Sequence, residues 1–345
     1  MKQLNVREIR MGLALVFVVL VLVVLVLVTF IQKPIPDLSD TSHSNTLNTG
    51  EVIYHPFTGQ IRDTVLENLP FVFAVMVENS YDAWPLSGVE DAFLVIEAPV
   101  EGSIPRFEAF FTSDVQVDEI GPVRSARPYY VDWVRGWNVI YAHVGGSPEA
   151  LELITALGVH DINEFYNGST FWRSVRRFAP HNVYTTPERL TKNVQQKGFD
   201  TLNHGFFRFM QPATEEGNVH SIMYRWFSQS SNYDVGWEFF EGYYTRHQGG
   251  AIAKSADGDM YQFKNIIFIE SDIRSIDDVD RKRIRTSGEG NAIVFQNGHV
   301  IEAIWKKDDV TSPLKFYNVW DEEIALVAGN AWITVTDDLD RVSFN

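Results

Sequence analysis

The sequence predicts an α+β or α/β N-terminal domain followed by a β-rich C-terminal domain, both preceded by one N-terminal transmembrane helix. Three observations support this fold class. Residues 11–31 form an uncharged apolar run. Residues 51–226 alternate apolar runs of strand length with helix-start patterns, whereas residues 227–345 hold short β-forming runs separated by turn signals. The 345 residues suffice for two domains in addition to an anchor.

Composition excludes several classes of protein. Hydrophobic residues make up 45% of the chain and aromatic residues 13%, so a large packed core is expected rather than disorder. The formal net charge of -16 argues against a nucleic-acid partner, which requires a basic surface. The chain has no cysteine, which excludes disulfides, thiolate nucleophiles and cysteine-ligated zinc.

Residues 11–31 are predicted to anchor the protein in a membrane. As a helix, this run spans about 30 Å, the thickness of the hydrocarbon core of a bilayer. Basic residues precede it, so the positive-inside rule predicts a cytoplasmic tail over residues 1–10 and a body outside the cell membrane. A cleaved signal peptide is the alternative, but no small-x-small cleavage site follows the run. Residues 32–50, which are mostly polar with several prolines, are predicted to be a flexible tether.

Four apolar runs and three helix patterns define the predicted N-terminal domain. The runs are bounded by Pro, Gly, Asn or charged residues and predict strands at residues 71–77, 92–96, 106–112 and 137–144. Each helix pattern has proline in its first turn and glycine after its last turn. The helices are predicted to begin at Pro128, Pro148 and Pro187 and to end before Gly136, Gly158 and Gly198.

The predicted C-terminal domain consists of hairpins. Asp257-Gly258 and Asn297-Gly298 are hairpin-turn signals. Residues 203–226 are predicted to be a connector that packs on both domains, and residues 271–285 a solvated loop. Residues 243–247 form a β-forming run before Gln248-Gly-Gly250, and strands are predicted at residues 265–270, 291–295, 300–305, 314–317 and 331–335.

Several motifs resemble the YerB-like family, extracytoplasmic lipoproteins of unknown function. The motifs are Asn79, Trp84-Pro-Leu-Ser-Gly88, Glu97 to Phe107, Gly121-Pro-Val-Arg-Ser-Ala-Arg-Pro128, His143-Val-Gly-Gly-Ser147 and Ala179-Pro-His-Asn182. The resemblance covers about residues 51–335 and implies a fold and an extracytoplasmic address but no known activity. The chain departs from the family at Pro105, where threonine is usual. It also lacks the lipid-bearing cysteine, whose place the predicted membrane helix takes.

Arginines in these segments predict a binding site for an anionic group. Arg124 and Arg127 lie three residues apart, and Arg106 adds a third guanidinium, a group well suited to carboxylate or phosphate. The alternative is that these arginines neutralise acids such as Glu97 and Glu101 in structural ion pairs.

A glycine-rich helix start adds to the predicted ligand-binding residues. Gly145, Gly146 and Ser147 open a predicted helix whose backbone amides can hold an anion, and Ser125 and Asn182 add polar side chains. A nucleophilic Ser147 is the sharper alternative. However, the sequence lacks Gly-x-Ser-x-Gly, and Ser-Pro is an ordinary helix start, so capping is preferred.

Two functions remain open from sequence. The preferred one is a membrane-anchored envelope protein that binds an anionic cell-wall polymer or a peptide of an envelope protein through an Arg/Glu/His cleft. The alternative is a cell-wall hydrolase or transglycosylase-like enzyme, with Glu97 or Glu101 as the acid and His143 or His181 as the base. The spacings match no metal-ligand motif, so neither a metal nor a cofactor is expected.

Overall fold

The computed structural model describes residues 52–66, 68–199, 205–227 and 230–345. Residues Val52–Asn345 form one compact unit. The predicted tail, transmembrane helix and tether, residues 1–50, lie outside the described residues. Within the described ranges, no helix is both long and apolar enough to cross a membrane.

The first half of the described chain alternates strands with α-helices, as predicted. Its helices are α1 (Pro128–Trp137), α2 (Pro148–Ala156) and α3 (Pro187–Lys197). Its strands are β1 (Ile53–Tyr54), β2 (Ile61–Arg62), β3 (Val72–Glu78), β4 (Leu94–Pro99), β5 (Pro105–Thr112), β6 (Ile140–His143), β7 (Asp161–Asn163), β8 (Trp172–Arg173) and β9 (Val183–Tyr184). The four predicted strands are confirmed as β3 to β6, with ends shifted by a few residues.

The second half is rich in strands, which confirms the predicted β-rich character. Its strands are β10 (Phe209–Met210), β11 (Ser221–Tyr224), β12 (Val235–Phe240), β13 (Tyr243–Gln248), β14 (Ala251–Ile252), β15 (Gln262–Phe263), β16 (Asn265–Glu270), β17 (Ile273–Ser275), β18 (Lys282–Ile284), β19 (Gly288–Gln296), β20 (His299–Lys307), β21 (Lys315–Tyr317), β22 (Leu326–Val327), β23 (Ala331–Thr336) and β24 (Val342–Phe344). The turn between β19 and β20 is Asn297-Gly298, as predicted, with both residues at positive φ.

A ten-stranded mixed sheet runs through the whole unit in the order β21-β20-β19-β16-β23-β4-β5-β3-β6-β7. Its centre is the parallel pair of β4 and β23, in which Leu94 lies opposite Ala331. Strands from either side of the predicted domain boundary at residue 226 therefore share this sheet. A second sheet of six strands contains β14-β13-β12-β11-β24, with β15 paired to β13.

Side chains on the two faces of the ten-stranded sheet form two cores. One face packs against α1 and α2, with Tyr130 and Trp137 among its largest buried side chains. The other face packs against the six-stranded sheet and α3, through residues such as Trp237 and Leu190. Alternate residues along β3 and β5 enter opposite cores, as the period of a strand requires.

Side-chain capping explains where two of the three helices begin, as predicted. Ser147 Oγ accepts a hydrogen bond from Ala150 N (3.3 Å) at the start of α2, and Thr186 Oγ1 accepts one from Arg189 N (3.2 Å) at the start of α3. Gly198 ends α3 in the left-handed conformation.

The predicted end of α1 was wrong, since the helix continues through Gly136 to Trp137. Trp137 is fully buried and stacks on Phe206, with ring centroids 5.0 Å apart, so tertiary packing extends the helix. Gly136 is required by close packing rather than by helix termination, because a Cβ there would lie 2.5 Å from the Ser312 carbonyl oxygen. Asn138 takes the left-handed position instead.

The prediction of a solvated loop over residues 271–285 was also wrong. This segment forms the hairpin of β17 and β18, in which Ile273 lies opposite Ile284. Ile284 is buried in the core that contains α1. Two apolar residues that meet across the hairpin thus outweigh the charged composition of the segment.

Candidate functional site

Most predicted site residues gather where β3 and β6 end. β3, β6 and β7 are parallel neighbours, so the chain leaves all three at the same edge of the sheet. Ligands of open sheets commonly bind outside the carboxyl ends of such strands. Here residues 124–127 and 144–147 run side by side in parallel. Ala126 N donates to the Gly145 carbonyl oxygen (3.0 Å), and Ser147 N donates to the Ala126 carbonyl oxygen (3.3 Å).

These two segments, together with Glu101, are called here the α1–α2 surface. They border an open cavity of about 350 Å³. Its lining residues are Glu101, Ser125, Arg127, Gly146, Ser147, Pro148, Val279 and Arg281. The cavity thus brings together five of the residues predicted from sequence, and α1 and α2 both begin beside it.

Glycine allows the second segment to approach its neighbours closely. Gly145 has a φ of 59°, and a Cβ there would lie 2.7 Å from the ring of Phe165. The adjacent Ser147 caps α2 through its hydroxyl group, as described above. Ser147 therefore has the capping role that the sequence favoured over nucleophilic attack.

Arg127 and Glu101 form a bidentate ion pair beside the cavity. Arg127 Nε donates to Glu101 Oε1 (2.6 Å), and its Nη2 donates to Oε2 (2.7 Å). Burial by itself would raise the pKa of Glu101, but the hydrogen bonds and charge of Arg127 outweigh it and hold that pKa below its ordinary value. Glu101 is therefore a counter-ion and is poorly suited to donate a proton.

Arg106 lies beneath this surface and is almost completely buried. Its Nη1 donates to the Ser125 carbonyl oxygen at 2.8 Å, which fixes the backbone between Arg124 and Arg127. Burial, together with the positive charges of Arg127 and Arg124, lowers the pKa of Arg106 to about 10. Three guanidinium groups are therefore close enough to repel one another.

Glu78, which the sequence reasoning missed, connects Arg124 to His181. His181 Nδ1 donates to Glu78 Oε2 at 2.7 Å, and Arg124 Nε lies 3.4 Å from Glu78 Oε1. The side chains of Arg124 and His181 are about a quarter exposed, whereas that of Glu78 is 6% exposed. The signal available in the sequence was a lone acid at the end of the apolar run of β3.

The order of groups around Glu78 does not match a nucleophilic triad. Ser80 Oγ donates to Glu78 Oε1 at 2.9 Å, so the carboxylate lies between the hydroxyl and the imidazole. In a triad the imidazole lies between the other two groups and takes the proton of the hydroxyl. The arrangement orients His181 but does not activate Ser80.

The other predicted histidine is inside the protein. His143 is fully buried, and its Nδ1 lies 2.7 Å from the Gly145 carbonyl oxygen. Its Nε2 lies 3.3 Å from Asp161 Oδ2. His143 therefore supports the 144–147 segment from inside the protein, where a ligand at the surface does not contact it.

Glu97 is buried in a different part of the molecule, and its partner Arg246 was not predicted. Arg246 donates to both carboxylate oxygens, from Nη2 to Oε1 (2.7 Å) and from Nη1 to Oε2 (3.1 Å). Trp332 Nε1 donates to Glu97 Oε2 at 2.9 Å. Both members of the ion pair are fully buried. Glu97 is 0% exposed and held by these partners, so the structure gives it a structural role rather than that of a general acid.

Asn182, next to His181 in the sequence, holds a neighbouring loop. Its Oδ1 accepts a hydrogen bond from Arg173 Nη1 (3.2 Å), and Arg173 Nη2 donates to Glu164 Oε1 (3.0 Å). Among the described residues, no group of three or more His, Asp or Glu side chains is placed to hold a metal ion.

Comparison with known proteins agrees with the resemblance drawn from the motifs. The N-terminal and C-terminal domains of DUF3048, a protein of unknown function, match residues 57–200 and 222–333. The putative lipoprotein YerB of Bacillus subtilis (strain 168) is 33% identical over 307 residues, which cover 86% of this chain and 90% of the relative. A crystal structure of YerB from Bacillus subtilis matches with a TM-score of 0.75 at 28% identity, and the match covers 85% of this chain and 99% of that chain.

The comparison corrects the predicted localisation. The relative carries the name of a lipoprotein, a class that is held at a membrane by a lipid rather than by a spanning helix. The prediction of a single-pass membrane protein with a cytoplasmic N-terminus was therefore wrong. The predicted two-domain organisation agrees with the two matched regions.

Proposed function

The chain belongs to the DUF3048 family, and we propose that it is a non-catalytic envelope protein that binds an anionic group of a cell-wall polymer at the α1–α2 surface. The observation that carries this proposal is the pairing of the two segments. Residues 124–127 and 144–147 run side by side, and each starts a helix at the same cavity. Helix N-termini attract negative charge through their exposed amides and dipole.

The charges around the cavity support an anionic ligand. Arg106, Arg124, Arg127 and Arg281 supply four positive charges, and Glu78, Glu101 and Asp277, the partner of Arg281, supply three negative charges. The difference of four minus three leaves one positive charge here, on a chain whose net charge is -16. An excess positive charge attracts an anion to this surface, whereas the acidic remainder of the protein repels that anion.

The carboxylates favour binding over catalysis. Glu101 is held by Arg127 with a lowered pKa, and Glu97 is sealed within its ion pair with Arg246. A general acid requires a raised pKa and access to the leaving group. His181 has a carboxylate partner, but Glu78 is already engaged by Ser80 and lies beside Arg124. The hydrolase alternative is not supported by a specific observation.

Co-sedimentation with purified cell-wall sacculi tests the proposal. Arg124→Gln removes the most exposed guanidinium of the surface while keeping the polar shape, and Arg208→Gln is the matched control at an exposed site away from it. Charge-assisted hydrogen bonds contribute about 1.5–3 kcal/mol, so Arg124→Gln is expected to weaken binding by about tenfold or more. Binding of the unmodified protein is also expected to weaken with added salt.

Three results would contradict the proposal. They are the absence of co-sedimentation, equal binding by the Arg124→Gln protein, and an equal loss with Arg208→Gln. Mass spectrometry of the supernatant gives the opposing readout for an enzyme. Soluble wall fragments that disappear with Glu101→Gln would replace the binding function by hydrolysis.

A further inference from the structure

A second cavity lies outside the α1–α2 surface. It has a volume of about 600 Å³, in the range of cavities that hold small ligands. The loop after β3 forms one wall, and β13, β14 and the segment after β14 form another. Its lining residues are Asn79, Tyr81, Trp84, Pro85, Leu86, Asn232, Gln248, Gly249, Ala251, Ile252, Ala253, Lys254 and Tyr261.

Gln248, which lines this cavity, has a side-chain donor without a hydrogen-bond partner among the described residues. The residue is 8% exposed. Its Oε1 accepts hydrogen bonds from Arg246 Nη2 (3.1 Å) and Asn79 Nδ2 (3.4 Å), whereas its Nε2 is buried and has no partner among the described residues. A buried donor without an acceptor is unfavourable by about 1–3 kcal/mol. Arg246 holds the amide through Oε1, so Nε2 is the polar atom of Gln248 that remains without an acceptor in the described part of the chain.

Two aromatic side chains form an ordered wall of the same cavity. Tyr81 is 58% exposed, and its ring centroid lies 5.3 Å from that of Trp84. Trp84 Nε1 donates to Asn79 Oδ1 at 2.7 Å, which fixes the indole. Arg177 donates to the carbonyl oxygens of Ala83 and Pro85 and so holds the loop that carries both rings. Exposed aromatic surface of Tyr81 is therefore held in a defined position beside Trp84.

The lining has the chemistry of a site for a neutral polyhydroxylated ligand. Aromatic rings contact the apolar faces of sugar rings, and side-chain amides both donate to and accept from hydroxyl groups. Asn79, Asn232 and Gln248 supply three amides, and Lys254 is the one charged residue among the lining residues described. None of these described lining residues carries a carboxylate. Glycoside hydrolysis, which commonly uses a pair of carboxylates, is therefore not expected here.

We propose that this cavity binds one or two rings of a neutral oligosaccharide, with Tyr81 and Trp84 against a ring face and Gln248 Nε2 donating to a sugar oxygen. Glu78, the last residue of β3, contacts Arg124 of the α1–α2 surface, and the next residue, Asn79, lines this cavity. The loop after β3 therefore connects the two sites along the chain. A polymer that carries both sugars and anionic groups can contact both, but neither proposal requires the other.

Isothermal titration calorimetry with defined oligosaccharides tests this site. The probes are cellotetraose, maltotetraose and the β-1,4-linked tetramer of N-acetylglucosamine, with decaproline as a peptide probe. Gln248→Glu keeps the acceptor for Arg246 but replaces the Nε2 donor by an acceptor. Tyr81→Ala removes exposed ring surface with little effect expected on folding. Trp320→Ala, at a residue that is 77% exposed and outside the cavity, is the matched aromatic control.

Saturable binding of at least one sugar is expected, weakened about tenfold or more by Gln248→Glu and by Tyr81→Ala. Trp320→Ala and Arg124→Gln are expected to leave it unchanged. Thermal unfolding followed by circular dichroism checks that each variant is folded.

The proposal is overturned if no sugar binds, or if folded Tyr81→Ala and Gln248→Glu proteins bind as tightly as the unmodified protein. Decaproline binding that depends on Tyr81, without sugar binding, would overturn it in favour of a peptide site. If Arg124→Gln loses binding to sacculi but still binds the sugar, the sugar site is shown to be separate from the anion site of the proposed function.

Discussion

Replacing Glu108 by glutamine is expected to stabilise the protein at neutral pH. Glu108 lies in the middle of β5, opposite Met76 on β3 and Ile96 on β4, and is fully buried. Neither carboxyl oxygen has a hydrogen-bond partner among the described residues. Arg106, two residues away on the same face of β5, donates to the Ser125 carbonyl oxygen. Burial therefore raises the pKa of Glu108 well above its ordinary value of 4.5, so the folded state keeps this proton to a higher pH than the unfolded chain does.

The magnitude follows from proton linkage. Above pH 4.5 the unfolded chain releases the proton of Glu108, whereas the folded state keeps it until the raised pKa is reached. The folded state binds more protons in this window, so stability falls with rising pH, by about 1.4 kcal/mol per pH unit. The loss accumulates from pH 4.5 up to the raised pKa of Glu108 in the folded state. Glutamine has the same shape and no proton to release, so Glu108→Gln avoids this loss.

Urea unfolding at several pH values between 4.5 and 7, followed by far-ultraviolet circular dichroism, measures the effect. The two proteins are expected to have similar free energies of unfolding near pH 4.5, and the glutamine variant is expected to become progressively more stable as the pH rises. Glu302→Gln, at an exposed position on β20, controls for the loss of a negative charge. A difference between Glu108→Gln and the unmodified protein that does not change with pH would refute the reasoning, because it would mean that Glu108 titrates normally in the folded state.

Three further predictions concern stability. Glu97→Gln leaves Arg246 buried without a counter-ion and is expected to lower the free energy of unfolding by about 3–5 kcal/mol in urea titrations; a loss below 1 kcal/mol would contradict a buried ion pair. Burial lowers the pKa of Lys307 to about 8 from 10.5, so the folded state binds fewer protons than the unfolded chain in that window. The contribution of Lys307 to the free energy of unfolding is therefore expected to rise from pH 8 to 10.5. Lys307→Met should remove this rise from the free energy of unfolding measured against pH, and an unchanged pH dependence would contradict the prediction. Ser147→Ala removes the cap of α2 and is expected to lower the free energy of unfolding by about 1 kcal/mol, whereas Ser147→Thr, which keeps the hydroxyl, should restore most of it.

Elements fixed by neighbouring residues were predictable from the sequence. The caps at Ser147 and Thr186 and the turn at Asn297-Gly298 depend on hydrogen bonds or backbone angles within a few residues. The end of α1 was not predictable in this way, because Trp137 remains helical through its stacking on Phe206. Local signals thus locate an element, whereas tertiary packing decides where some of its ends lie.

The candidate site was predictable as a set of segments but not as a set of partners. Arg127, Gly146 and Ser147 belong to motifs that stand out in the sequence, and they line one cavity because both segments precede helices at the edge of one sheet. They could not indicate that Glu78 pairs with His181, which lies 103 residues later. The periodicity of apolar residues cannot predict a contact between residues so far apart in the chain, because such a contact depends on the order of strands in the sheet.

Glu97 shows why a buried acid in a strand is ambiguous until its surroundings are known. Its partner Arg246 comes from the six-stranded sheet and lies 4.3 Å from the ring centroid of Trp332, with the rings of Phe107 and Trp237 at 5.6 and 5.3 Å. Aromatic faces attract a cation but do not replace its water, so the guanidinium still requires a carboxylate. Glu97 supplies it from the ten-stranded sheet, and Trp332 adds a hydrogen bond from the neighbouring strand β23. The carboxylate therefore makes it possible for the two sheets to enclose a charged side chain. The same contact connects both halves of the chain. A variant at Glu97 that loses ligand binding should therefore do so because the two sheets pack more weakly. At a temperature where that variant remains folded, its α1–α2 surface should still bind the anionic ligand.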